Sequence, residues 1–365
     1  MSEDRLDLDD FGNLIERPDG GIRRDAEERR ARTAPAPGSL GRLDELGEWL
    51  AAAQGRVPAQ YLSRPRMVVF AGDHGVASLG VSARPAGSAV ELVRAALDGE
   101  SAAAVLARRA GVPVRIVDVS VDCDPAELPA EVTRFRVRRS GGRADIEDTL
   151  TPAEAEQAFR AGMAVADEEA DAGTDLVVLG DLSVGGTTAA AILVAALCGT
   201  DASVVTGRGG TPVDDLVWMR KCAAIRDGLR RARPVLGDQL QLLAAVGGAD
   251  LTAITGFLLQ CAVRRTPVVL DGVVSAACAL VAQRVAFRAP DWWLAGHRSG
   301  EPAQAKALDR MSLDPLLDQR VTAGEGTGAL LALPLVLAAS ALAAELPARP
   351  EEPEAAAEPE VLDAT

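Results

Sequence analysis

Short apolar runs alternate with longer amphipathic stretches through most of the chain. The short runs are Arg66–Ala71, Val114–Val121, Leu176–Gly180, Ala202–Thr206, Pro267–Asp271 and Asp291–Ala295. They are mostly rich in β-branched or aromatic residues and are bounded by Gly, Pro or Asp, which predicts buried strands. Helical spacing of apolar positions falls between them, at Leu40–Gln54, Ser88–Leu97, Pro152–Ala172, Thr187–Leu197, Asp214–Arg231, Leu251–Val263 and Val274–Val285. Ser39 is placed to cap the first of these helices. Near-continuous apolar strands alternating with helices predict an α/β fold, a mostly parallel, Rossmann-like sheet flanked by helices. Ligands of such sheets bind outside the carboxyl ends of the strands, so the loops there are where chemistry is expected.

The two ends of the chain break this pattern. Residues 1–36 are charged and show little hydrophobic periodicity, so they read as a polar arm. Residues 347–365 combine Pro, Ala and Glu with almost nothing to bury and read as disordered. The longest apolar run, Ala329 to Ala344, is short for a membrane span and contains Pro334, which favours a buried helix.

Composition narrows the classes. In 365 residues, aromatics are only 3%, so Ala, Val and Leu must fill the core. Lys and Arg number 38 against 53 Asp and Glu, a net charge of −15, which argues against a nucleic-acid binder. The five cysteines are scattered without CxxC spacing and the only histidines are His74 and His297, which argues against a structural zinc site. The acidic N-terminus is the reverse of a signal sequence, and a cytoplasmic location is expected.

Several strand ends carry Gly-rich or charged loops. Gly72-Asp73-His74-Gly75 follows the first strand. Gly180 to Thr188 (GDLSVGGTT) leads from a strand into a helix, where glycines let backbone approach an anion and free N–H groups point outward. Gly207-Arg208-Gly209-Gly210-Thr211 precedes a helix carrying Lys221. Two such loops in one sheet suggest a phosphorylated small ligand, although each alone is more often a tight turn. No P-loop and no GxGxxG are present, which lowers ATP and NAD as ligands. Asp271-Gly272, Gly296 to Glu301 (GHRSGE) and Gly324 to Gly328 (GEGTG) complete the set. Glu325 opens an apolar helix; it reads either as a first-turn carboxylate favoured by the helix dipole or as a base. No Ser or Cys stands in a nucleophile elbow. Trp292 and Trp293 read as core packing.

Taken in order, Gly38–Ala51, Phe70–Ala83, Gly180–Ala191, Thr206–Lys221, Pro267–Leu280, Leu294–Pro302 and Ala323–Leu335 resemble the nicotinate-nucleotide–dimethylbenzimidazole phosphoribosyltransferase family. The resemblance spans residues 38–345. It implies a large α/β domain at 66–328 and a smaller helical domain built from 37–65 and the C-terminal helix 329–346. It implies a homodimer that needs no cofactor or metal and touches neither membrane nor nucleic acid. It also implies transfer of the 5-phosphoribosyl group from nicotinate mononucleotide to 5,6-dimethylbenzimidazole, giving α-ribazole 5′-phosphate and nicotinate for cobalamin assembly. Glu325 matches the family's general base. The phosphate contacts fall on Gly207, Gly209, Gly210 and Lys221, Asp181 lies close to the reaction centre, and the aromatic base lies near Ser82 and Leu182. Gly185, Thr187, Ser299, Gly324 and Gly326 complete the expected substrate contacts.

The chain departs from the family pattern at Leu182, Ser183 and Gly186, at Pro35, at Pro85–Ala89, and at Thr322, where an arginine is usual and Arg320 could stand in. Two other readings follow: transfer to a different base, or a non-catalytic carrier of nicotinate mononucleotide or a benzimidazole. A binder has no need of Glu325. A dinucleotide-dependent oxidoreductase is disfavoured by the missing GxGxxG.

Overall fold

In a computed structural model, residues 6–349 are described. Five strands form one sheet: β1 Pro65–Asp73, β2 Val114–Ser120, β3 Leu176–Val184, β4 Val268–Leu270 and β5 Trp293–Ala295. Their order is β2-β1-β3-β4-β5 and every pair is parallel. The apolar runs fix this arrangement. Met67–Ala71 on β1 and Leu176–Leu179 on β3 are buried, as strands covered by helices on both faces must be. Phe70 meets Phe257 edge to face at 5.3 Å, tying β1 to helix Ala249–Val263. Trp292 and Trp293 are buried, as the sequence predicts.

The chain divides into two compact units. The larger comprises Met1–Pro18 and Leu62–Leu335, the smaller Asp19–Tyr61 and Val336–Thr365. Over its described part, residues 6–36, the expected polar arm is a misreading, and residues 1–5 lie outside the described residues. Phe11 and Ile15 are buried in the larger unit, where Phe11 stands 5.9 Å from Phe159. Gly20–Ala31 is a helix of the smaller unit. Its arginines do what apolar residues do elsewhere: Arg29 Nη2 donates to the carbonyl of Leu346 at 2.7 Å, and Arg30 pairs with Asp44.

Three further expectations change. Ala202–Val205 is a short helix, not a strand. Ser39 does not cap the helix that follows; that helix runs Arg42–Gln54 with Gly41 at its N-cap, and the Ser39 hydroxyl donates back to Ala36. β3 continues past Gly180 to Val184, so Asp181 and Leu182 are strand residues. Thr327–Glu345 is long and apolar enough to cross a membrane by length and composition, and half of its apolar stretch is buried within the fold. Of the tail read as disordered, 350–365 lies outside the described residues.

Candidate functional site

The strand order reverses between β1 and β3, because β1 leads outward to β2 while β3 leads to β4 and β5 on the other side. Loops leaving two such strands diverge and open a crevice, the usual ligand position in this architecture. A cleft of about 270 Å³ lies there. It is lined by the segments after β1 (Val81–Arg84), after β3 (through Thr187), after β4 (Asp271–Val274) and after β5 (His297 to Glu301), and by Val321–Glu325.

The turn that presents Glu325 is held from two sides. Its backbone N–H donates to the carbonyl of Asp181 on β3 at 3.1 Å. The buried Asp271, at the end of β4, accepts the N–H of Gly326 at 3.2 Å with Oδ2 and that of Ala329 at 3.0 Å with Oδ1. Asp271 thus caps helix Thr327–Glu345 from a distant part of the chain, satisfying donors that a helix start leaves free. Glu325 adopts φ +63°, between Gly324 at +70° and Gly326 at +89°. A left-handed non-glycine residue is costly, and such conformations cluster at functional sites. The Glu325 Oε2 is buried without a hydrogen-bond partner. A carboxylate oxygen with an unused lone pair beside a cleft can accept a proton or a donor from a ligand.

Asp181 faces the same cleft from β3. Burial, with the nearby Asp271 and Asp250 charges, pushes its carboxyl up to about 7. Behind it, His74 Nε2 lies 3.0 Å from Asp250 Oδ2 with both side chains buried. Burial alone would lower His74, but the carboxylates of Asp250, Asp73 and Asp181 together outweigh it and hold the imidazole above its ordinary value. The raised Asp181 value has a consequence for stability. The unfolded chain loses this proton near pH 4, the folded chain near pH 7. The folded state therefore binds the extra proton between these limits, and stability falls as pH rises through that window. Asp181→Asn should melt above the parent protein at pH 8, by about 3 °C, with the advantage shrinking toward pH 5. A melting series across pH checks this, and an advantage independent of pH would contradict it.

The loop 207–211 meets Lys221 from behind. Lys221 is buried, its Nζ donates to Thr187 Oγ1 at 2.8 Å, and burial lowers its affinity for the proton while Glu301 opposes that effect. Gly185 caps the helix Gly186–Cys198 with φ +93°, bringing the start of that helix to the cleft beside Thr187.

Ser82, Asp181, Leu182, Gly185, Thr187, Gly209, Gly210, Ser299, Gly324 and Glu325 all line the cleft. Gly207, Lys221 and Gly326 do not; they stand behind its wall, against Glu301, Thr187 and Gly180 respectively. Arg320 does not replace the missing arginine, since it is exposed and absent from the lining. Thr322 is present instead and donates to the carbonyl of Gly210 at 3.1 Å. Asp271, His297 and Glu301 line the cleft as well, from loops the sequence marks as candidates but to which the resemblance assigns no substrate contact at these positions. Their position at strand ends was the available signal. Gln304 carried none: it joins the β4 and β5 loops by donating to the carbonyls of Asp271 and His297, both at 2.9 Å. Among the described residues, no group of three or more His, Cys, Asp or Glu is gathered to hold a metal ion.

Comparison with known proteins agrees with this arrangement. Residues 15–351 match a family model described as phosphoribosyltransferase. A nicotinate-nucleotide–dimethylbenzimidazole phosphoribosyltransferase of Streptomyces avermitilis is 77% identical over 342 residues, covering 94% of this chain and 91% of the relative. The protein of that name from Mycobacterium tuberculosis is 48% identical, with 90% of each chain covered. The crystal structure of CobT from Thermus thermophilus superposes with a TM-score of 0.84 at 38% identity, covering 88% of this chain and 96% of that one. The chain belongs to the nicotinate-nucleotide–dimethylbenzimidazole phosphoribosyltransferase family.

Proposed function

We propose that this protein transfers the 5-phosphoribosyl group of nicotinate mononucleotide to 5,6-dimethylbenzimidazole, giving α-ribazole 5′-phosphate and nicotinate. The observation that carries the reading is one cleft lined both by Glu325, with its unpartnered buried oxygen, and by a Gly-rich loop backed by a buried lysine. In this reading Glu325 accepts the proton that one benzimidazole nitrogen sheds as the other attacks C1′, a role worth about 10²–10⁴-fold. The pyridine nitrogen of the nucleotide is cationic, so nicotinate departs readily and the protein mainly positions two rings and a phosphate. Attack opposite the leaving group inverts the β-nucleotide to the α-riboside. Leu182 is the apolar contact for the base, with Ser82 at the same wall; Asp181 lies near the reacting carbon. Gly209 and Gly210 offer backbone to the phosphate, with Gly207 and Lys221 behind them, and Thr187, Ser299 and Gly185 complete that side. Gly324 and Gly326 shape the base-bearing turn.

The names of the relatives support the substrates, and the reading extends to a homodimer in the cytoplasm, as the resemblance implies. The direct test incubates the protein with nicotinate mononucleotide and dimethylbenzimidazole and follows products by mass spectrometry. Matched appearance of the α-ribotide and nicotinate is expected. Product only with another base would keep the chemistry and change the acceptor. Nucleotide binding without any product would favour a carrier.

Lys221→Ala is expected to weaken nicotinate mononucleotide binding by about tenfold, the loss of one buried positive charge behind the phosphate loop, while dimethylbenzimidazole binding stays as it was. Calorimetry checks this, and equal nucleotide affinity would contradict the phosphate placement.

A further inference from the structure

The transfer chemistry leaves one buried carboxylate of the cleft without a task. Glu301 stands at the N-cap of helix Pro302–Met311, yet its side chain makes no capping bond. Its Oε1 instead accepts the N–H of Gly209 at 2.8 Å. Its Oε2 lies 3.9 Å from Lys221 Nζ and is buried with no hydrogen-bond partner. Glu301 is 5% exposed and Lys221 1%. The chain makes room for this carboxylate: a Cβ on Gly207 would stand 2.1–2.4 Å from its atoms.

Glu301 therefore engages a loop N–H and faces a buried ammonium, the two kinds of donor that a phosphate ester would seek here. A phosphate and a carboxylate cannot share these donors without like-charge repulsion in a poorly screened interior. Glu301 also answers a structural need, since a buried lysine left without a counter-charge is costly.

We propose that Glu301 is a built-in competitor for the ligand's 5′-phosphate: it holds Lys221 and the 207–211 loop in register and weakens the binding of phosphorylated ligands. This rests on the reading that the phosphate sits on that loop. The carboxylate supplies the acceptor that keeps the cradle formed, and it limits how tightly a phosphorylated product can be retained. Affinity differences of this kind appear mostly in the dissociation rate, so Glu301 favours product release.

The test measures binding of ribose 5-phosphate and of dimethylbenzimidazole, which has no phosphate, to the parent protein, Glu301→Gln and Lys221→Met. Glutamine keeps an oxygen for the Gly209 N–H and removes the charge. Glu301→Gln is expected to bind ribose 5-phosphate about tenfold more tightly, the size of one partly screened like-charge contact, with dimethylbenzimidazole affinity unchanged. Unchanged or weaker ribose 5-phosphate binding in Glu301→Gln, with binding lost in Lys221→Met, would overturn the competitor role and leave the phosphate site standing. Parent-like binding in Lys221→Met would overturn the phosphate site itself. Should Glu301→Gln melt well below the parent, Glu301→Asp, which draws the charge back by one methylene, takes its place and must shift affinity in the same direction.

Discussion

Glu325→Gln should retain nicotinate mononucleotide binding and lose about 10²–10⁴ of the turnover rate, the usual weight of a positioned general base. Glutamine matches the shape of the side chain and leaves the backbone bond from residue 325 to the Asp181 carbonyl available. It does not relieve the left-handed backbone, so the turn keeps its geometry and only the ability to take a proton is removed. The readout is the rate of α-ribotide formation at saturating substrates, with nucleotide affinity measured separately. A drop in kcat with unchanged affinity marks an interaction made only in the transition state. Turnover within threefold of the parent would move the role to another carboxylate of the cleft, Asp181 first, since its value near 7 also suits a base.

The strands were legible because a parallel sheet covered on both faces demands apolar runs, and β1 to β5 all fall within or around the predicted segments. Ala202–Thr206 misled because a run this short has no readable period. The Thr206 hydroxyl bonds to the Ala202 carbonyl at 2.6 Å and closes a helical turn there. The helix Gly20–Ala31 was illegible for the opposite reason. Its partners are reached by arginines, and charge-rich helices carry no apolar stripe to read. At the site, Glu325 stood out through its flanking glycines. The groups that hold the site's loops in place did not, because Asp271 reaches Gly326 in the Glu325 turn across 55 positions in sequence and Glu301 reaches Gly209 in the 207–211 loop across 92. Local spacing contains no trace of such contacts, whereas the strand-end rule at least marks the loops from which they come.

One close backbone approach beside the Glu325 turn is open to a single substitution. Gly180 lies on β3, opposite Val69 of β1, where the chain carrying Glu325 passes over it. A Cβ at this position would stand 2.5 Å from the carbonyl oxygen of Glu325, 2.7 Å from its carbonyl carbon and 2.9 Å from the nitrogen of Gly326. All three are backbone atoms, so no side chain can swing aside. β3 is fixed by parallel pairing on both sides, whereas the turn is fixed by its bonds to Asp181 and Asp271. The turn is the part that must move. Gly180→Ala is therefore expected to lift Glu325 away from its place and lower kcat by about 100-fold, the cost of a displacement on the order of 1 Å at a reacting group. Nucleotide affinity should change less, because Glu301 and Thr187 hold the 207–211 loop and Lys221 in place. The melting temperature should fall as well, since overpacking of this kind costs about 1–3 kcal/mol. Steady-state kinetics with a parallel melting curve separates the two effects. A variant that is less stable yet turns over at the parental rate would show that the placement of the Glu325 backbone does not limit the reaction.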